Sequence, residues 1–170
     1  KASEQKETLN DDALRILERD RIPELEGKTM LLTGANGAIG KEMIKFAKAA
    51  GINVIAVEGR SLNASVAAEL GIKLVSTLEE GLMQADIVSA HTPLVKKGQP
   101  GATEGMFGQK EFDIMEKRGA VFVNTARAQV IDKGVVTNVP TAIDDDPDKI
   151  AAVGISGFSK FTGTATKKRS

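Results

Sequence analysis

From Thr29 onward the chain repeats one pattern: a short apolar run, a glycine or polar break, then apolar positions at helical spacing. Thr29–Thr33 reads as a strand. Ile39–Ala50 reads as a helix, with Ile39, Met43, Phe46 and Ala47 on one face and Gly51 as its stop. Ile52–Glu58 is apolar nearly throughout, as a parallel strand covered on both faces should be. Ser61 or Asn63 caps a short helix to Leu70, closed by Gly71, and Ile72–Val75 is the third strand. Thr77 with Glu80 has the spacing of a capping box, and Asp86–Ala90 is the fourth strand. A Lys-, Gly- and Pro-rich loop, Val95–Gly105, leads to a helix over Phe107–Lys117 and a fifth strand over Ala120–Asn124. Val130–Val136 starts a further helix, which Pro140 and the acidic run Asp144–Asp148 keep short; Ile150–Ile155 is a sixth strand.

Strands alternating with helices at this spacing predict an α/β fold of Rossmann type. It is a doubly wound parallel sheet in three α/β/α layers, with strand order 3-2-1-4-5-6. The predicted organisation is an N-terminal arm over 1–27, a nucleotide-binding domain over 28–160 and a mobile tail over 161–170. In the arm, Ala13, Leu14, Ile16 and Leu17 fit one thin helical stripe, Asn10 or Asp11 offers a cap, and Pro23 ends it.

Composition narrows the chemistry. The 170 residues carry 23 basic and 23 acidic side chains, a balance that points to neither a nucleic acid nor a membrane surface as partner. With no Cys, disulfides, thiolate chemistry and Cys-based metal sites are excluded. Asp144–Asp148 lacks the glycine and distal Glu of a calcium loop and reads as solvated, so no metal site is expected. No apolar run suits a membrane span and the start is charged, so a cytoplasmic location is expected. The absent initiator Met points to a fragment, a processed chain or an engineered one.

The densest signal is Met30-Leu-Leu-Thr-Gly-Ala-Asn-Gly-Ala-Ile-Gly40. An apolar strand runs into Gly34, Asn36, Gly37, Ala38, Ile39 and Gly40, and that cluster opens a helix. Glycines there permit a tight turn, close approach of a pyrophosphate and close helix–strand packing, while the helix N-terminus offers backbone N–H groups to the phosphate charge. Glu58 ends the next strand, where an acid that binds ribose hydroxyls belongs. Arg60, just beyond, is a residue type that binds the 2′-phosphate of NADP, whereas Glu58 repels it; the balance favours NAD over NADP.

Three segments in order carry a family resemblance. Leu25-Glu-Gly-Lys-Thr29 leads into the glycine turn, Ala85-Asp-Ile-Val-Ser-Ala-His-Thr-Pro-Leu94 forms the fourth-strand segment, and Val123-Asn-Thr-Ala-Arg-Ala-Gln-Val-Ile-Asp132 contains an arginine signature. Together they resemble the NAD-binding domain of the D-isomer-specific 2-hydroxyacid dehydrogenases, the family of phosphoglycerate, glycerate and D-lactate dehydrogenases. The resemblance implies that the backbone around Gly37 and Gly40 holds a pyrophosphate and Glu58 the adenosine ribose. It puts His91, Thr92 and Pro93 along the nicotinamide side, and Thr125 and Ala126 beside the nicotinamide ribose. Arg127 is then the catalytic arginine that orients a 2-oxo or 2-hydroxy acid, a role that suits its planar fork of donors. A homodimer through this domain is also implied.

The departures are equally specific. The family's general acid/base His and its Glu partner have no counterpart here: the chain's one His is His91, Ser156 stands where the family has an Asp, and no carboxylate lies in Phe158-Ser-Lys-Phe161. Little or no dehydrogenase activity is expected of this chain alone. The turn reads Gly34-Ala-Asn-Gly37-Ala-Ile-Gly40, one residue longer than G-x-G-x-x-G, and is similar to the turn of extended short-chain dehydrogenases. That family's mechanism needs a Tyr, and the chain has none. An inert or engineered Rossmann scaffold and a nucleotide-sensing regulatory domain stay open as readings, separable by whether NAD binds and whether binding drives association with a partner.

Overall fold

The computed structural model describes Arg15 and residues 24–58, 62–139, 141–143 and 154–155. In chain order these form β1 (Thr29–Thr33), α1 (Ala38–Ala49), β2 (Asn53–Val57), α2 (Ala64–Leu70), β3 (Lys73–Val75), α3 (Leu78–Leu82), β4 (Ile87–Ala90), α4 (Gln109–Arg118) and β5 (Val121–Asn124). A 3-10 turn over Ala128–Val130 follows, then β6 (Val136–Thr137), β7 (Thr141–Ile143) and β8 (Gly154–Ile155).

Six strands make one parallel sheet in the order β3-β2-β1-β4-β5-β7, and β6 pairs with β8 in a separate parallel ladder. The chain leaves β1 toward β2 and β3, then crosses back to place β4 on the other side of β1. The C-terminal ends of β1 and β4 therefore flank the switch point, where open α/β sheets bind ligands. Both faces of β1 are covered, since Leu31 and Leu32 point to opposite sides and are both fully buried. Leu31 joins Val88, Phe112, Met115 and Phe122 under α3 and α4, with Phe122 edge-on to Phe107 and Phe112 at 4.8 and 5.1 Å between ring centres. Leu32 joins Ile44, Ala47, Val54, Ala56 and Ala67 under α1 and α2. These are the three predicted layers.

Three sequence expectations need correction. The buried residues of α1 are Gly40, Ile44, Ala47 and Ala49; Ala47 is as expected and Met43 packs half-buried against the same cluster, but Ile39 is 59% exposed. The cause is Gly40, which packs against the turn before the helix and sets its rotation. The helix expected to start at Val130 is instead one 3-10 turn followed by extended chain. Phe107 N–H donates to Val130 O (3.0 Å) and Asp132 N–H to Phe107 O (2.9 Å), so backbone pairing with the loop before α4 replaces helical bonds. The sixth strand of the sheet is Thr141–Ile143, not Ile150–Ile155; Gly154–Ile155 pairs with Val136–Thr137. Three residues between Pro140 and the acidic run are too few to register as a strand pattern. Arg60, the N-terminal stripe at 13–17 and the tail from Gly157 lie outside the described residues.

Candidate functional site

At the end of β1 the chain turns sharply. Gly34 has φ +73°, and the turn closes with Gly37 N–H donating to Gly34 O at 2.9 Å. A Cβ on Gly34 would stand 2.6 Å from His91 O and 2.9 Å from Thr92 N, so the turn lies directly on the backbone leaving β4. A Cβ on Gly40 would collide with Gly34 O and lie 2.8 Å from Ala35 Cα. Gly34 and Gly40 therefore set the shape of the turn. Gly37 differs: φ −73°, ψ 166° suits any residue, and a Cβ there meets only Gly34 O, at 3.2 Å.

Gly37 is the N-cap of α1. A glycine there offers no side chain to cap the helix, and the first turn holds no acidic residue. Gly37, Ala38 and Ile39 are exposed, so this helix start lies open on the sheet edge. Thr33, the residue before the turn, is buried, and its Oγ1 has no hydrogen-bond partner among the described residues. Asn36 sits half-buried in the turn. Glu58 is exposed at the end of β2, its N–H tied to Val75 O at 3.0 Å.

The next strand end carries the one imidazole. His91 is half-buried and both ring nitrogens meet hydroxyls: Nε2 lies 2.8 Å from Ser89 Oγ, and Nδ1 lies 2.5 Å from Thr125 Oγ1. Burial pushes its pKa below the usual 6.5. Thr125 O–H donates to Ala90 O (3.3 Å) and Thr125 N–H to the same carbonyl (3.1 Å), which joins the ends of β4 and β5. Thr92 is half-buried and Pro93 exposed, and Pro93 O accepts a bond from Thr103 Oγ1 at 2.6 Å that folds the following loop back.

Buried Asn124 shapes the exit from β5. Its Oδ1 accepts from Ala126 N–H (2.9 Å) and its Nδ2 donates to Arg127 O (3.2 Å). Arg127 is thereby held at the start of the 3-10 turn with its side chain exposed; Nη1 makes a long bond of 3.4 Å to Ala126 O.

The glycine turn thus lies on His91 and Thr92, and His91 meets Thr125, with Ala126 and Arg127 continuing from Thr125. Glu58 shares the sheet edge at the neighbouring strand. Sequence reading did not assign Ser89, Asn124 or Thr33, although each is a short polar residue ending or interrupting an apolar strand. The set fits a dinucleotide: an uncapped helix start, a cradle that two Cβ atoms would fill, and a buried hydroxyl short of a partner. Among the described residues no cluster of three His, Asp or Glu stands ready for a metal, and no helix is long and apolar enough to cross a membrane.

Comparison with known proteins follows the same lines. Residues 2–145 match the family described as D-isomer specific 2-hydroxyacid dehydrogenase, NAD binding domain. The chain is 36% identical over 110 residues to D-3-phosphoglycerate dehydrogenase of Methanocaldococcus jannaschii, a match spanning 65% of this chain and 20% of that protein. It is 31% identical over 118 residues to mitochondrial formate dehydrogenase of Hordeum vulgare, spanning 69% of this chain and 29% of that protein. Among solved structures, the NAD-complexed D-isomer specific 2-hydroxyacid dehydrogenase of Lactobacillus delbrueckii ssp. bulgaricus is 34% identical with a TM-score of 0.51, over 64% of this chain and 30% of that one. The chain therefore spans between a fifth and a third of the length of these relatives.

Proposed function

The chain belongs to the D-isomer specific 2-hydroxyacid dehydrogenase family as an NAD-binding domain, and on that premise we propose that it holds the cofactor half of a 2-hydroxyacid oxidoreductase. The observation that carries this reading is the helix start at Gly37: an exposed helix N-terminus at the switch point, with a glycine in the cap position and no acid in the first turn. Gly37, Ala38, Ile39 and Gly40 hold the pyrophosphate, with Gly34 and Asn36 shaping the turn beneath it. Glu58 accepts from the adenosine ribose, and Arg60 is secondary to it. His91, Thr92, Pro93, Thr125 and Ala126 wall the nicotinamide end.

When bound, the dinucleotide supplies hydride chemistry toward a 2-oxo or 2-hydroxy acid. Exposed Arg127 supports the substrate side of the reading: its carbonyl is pinned by Asn124, and its exposed guanidinium, held by a long Nη1 bond to Ala126 O, is a fork of donors suited to a carboxylate. The acid/base pair is no part of the proposal, because His91, the one imidazole, already has both nitrogens engaged. Binding, not turnover, is the activity proposed for these residues, and a second copy is the proposed protein partner.

Titration calorimetry with NAD⁺ and NADP⁺ tests this. The expected result is saturable NAD⁺ binding, tighter than NADP⁺ by about tenfold, with the preference lost in Glu58→Gln. A preference for NADP⁺ would overturn the Glu58 assignment, and no heat with either nucleotide would overturn the reading.

A further inference from the structure

We infer that His91 is a positioning residue: a neutral brace, protonated on Nδ1, that fixes the Thr125–Arg127 segment to the end of β4. The inference deepens the proposed function and rests on it for its meaning, but its geometry belongs to the protein alone. The hydroxyl partners on either side of the ring favour one tautomer. Thr125 Oγ1 has one hydrogen, and Ala90 O stands within 3.3 Å to accept it. The Thr125 oxygen is then the acceptor toward the imidazole, so His91 Nδ1 carries the proton across the 2.5 Å contact. Nε2 is left with its lone pair, and Ser89 O–H donates to it at 2.8 Å. Ser89 is 2% exposed, so its hydroxyl needs this partner.

The result is a one-way relay: Ser89 O–H to His91 Nε2, His91 Nδ1–H to Thr125 Oγ1, Thr125 O–H to Ala90 O. Each hydrogen is used once and each acceptor is filled. Burial keeps the ring neutral, which the relay requires, because a proton on Nε2 would force the Ser89 hydroxyl to turn away. The ring reaches the segment only through Thr125. From there Asn124 hands the position on, through its bonds to Ala126 N–H and Arg127 O. His91 thus sets where the arginine stands without touching a ligand through either nitrogen.

The test uses the ligand-free full chain, so it stands apart from whether NAD⁺ binds. Long-range ¹H–¹⁵N spectra of the labelled imidazole read the tautomer directly; Nδ1–H with a bare Nε2 is expected, and an Nε2–H or averaged ring overturns the relay. A second reading uses the two amide isosteres. The Asn amide reaches about as far as Nδ1 and the Gln amide about as far as Nε2. His91→Gln should therefore speed amide exchange at Thr125 and Ala126 by about tenfold over His91→Asn, with β1 and β2 amides alike in both. Equal exchange at Thr125 in the two variants would overturn the brace.

Discussion

The starts of α1 and α2 obey opposite rules. At α2, Asn63 Oδ1 accepts from Val66 N–H at 3.1 Å and the helix is sealed. At α3, Thr77 Oγ1 accepts from Glu80 N–H at 3.1 Å, and the Glu80 carboxylate accepts from Ser76 N–H at 2.8 Å, one residue beyond the cap amide that a full capping box would use. At α1 a glycine stands in the cap position, with no side-chain bond and no acid in the first turn. A side chain at a cap is worth about 1 kcal/mol. The chain forgoes that stabilisation at α1, which starts at the switch point; α4 also starts at a glycine, Gly108, but there Glu111 in the first turn accepts from the Gly108 N–H at 2.9 Å. Stability is served where helices only cover the sheet, and an anion is left room where the sheet reverses direction.

The comparison can be broken most severely at the glycines that shape the turn. Gly40→Val puts a side chain into Gly34 O and Ala35 and should destabilise the fold by about 3 kcal/mol, read by urea unfolding. Gly34→Ala should come close to it, since it adds a left-handed backbone to a contact of 2.6 Å with His91 O. Gly37→Asp should do the reverse. Its backbone suits any residue, so the fold should survive, while a carboxylate in the cap position should cut NAD⁺ affinity by tenfold or more, about 1.4 kcal/mol. Removing the caps that do exist, by Asn63→Ala or Thr77→Ala, should cost about 1 kcal/mol in stability each and leave NAD⁺ affinity unchanged.

The smallest effect is in pH. His91 is held below its ordinary pKa of 6.5 by burial, so the unfolded chain binds its proton more readily than the native one. Stability should be full above that value, fall as pH drops through it, and level off once the native ring also protonates. Unfolding midpoints at several pH values should show this slope, and His91→Asn should flatten it.

The strands β1 to β5 were legible in the sequence to within one or two residues, because buried parallel strands are short apolar runs bounded by glycine or polar breaks. The cap at Asn63 and the turn at Gly34–Gly40 were legible for the same reason: local chemistry fixes them. What was not legible depends on distant contacts. The rotation of α1 follows from Gly40 meeting Ala35, and the 3-10 turn after Arg127 gives way to a bridge at Ile131 because Phe107 offers a backbone partner there. Ser89 and His91 are neighbours at the end of β4, but Thr125 meets them only when β4 and β5 pair. The sequence placed His91 beside a cofactor but could not tell a ring that binds from a ring that braces.

The central claim is that α1 starts uncapped to receive a dinucleotide. Calorimetric titration of NAD⁺ into the wild-type chain, Gly37→Asp and Asn63→Ala tests it most directly, with urea unfolding run on all three. Expected are saturable binding in the wild type, the same affinity in Asn63→Ala despite its lower stability, and an affinity at least tenfold weaker in a folded Gly37→Asp. Equal NAD⁺ affinity in Gly37→Asp and the wild type would contradict it.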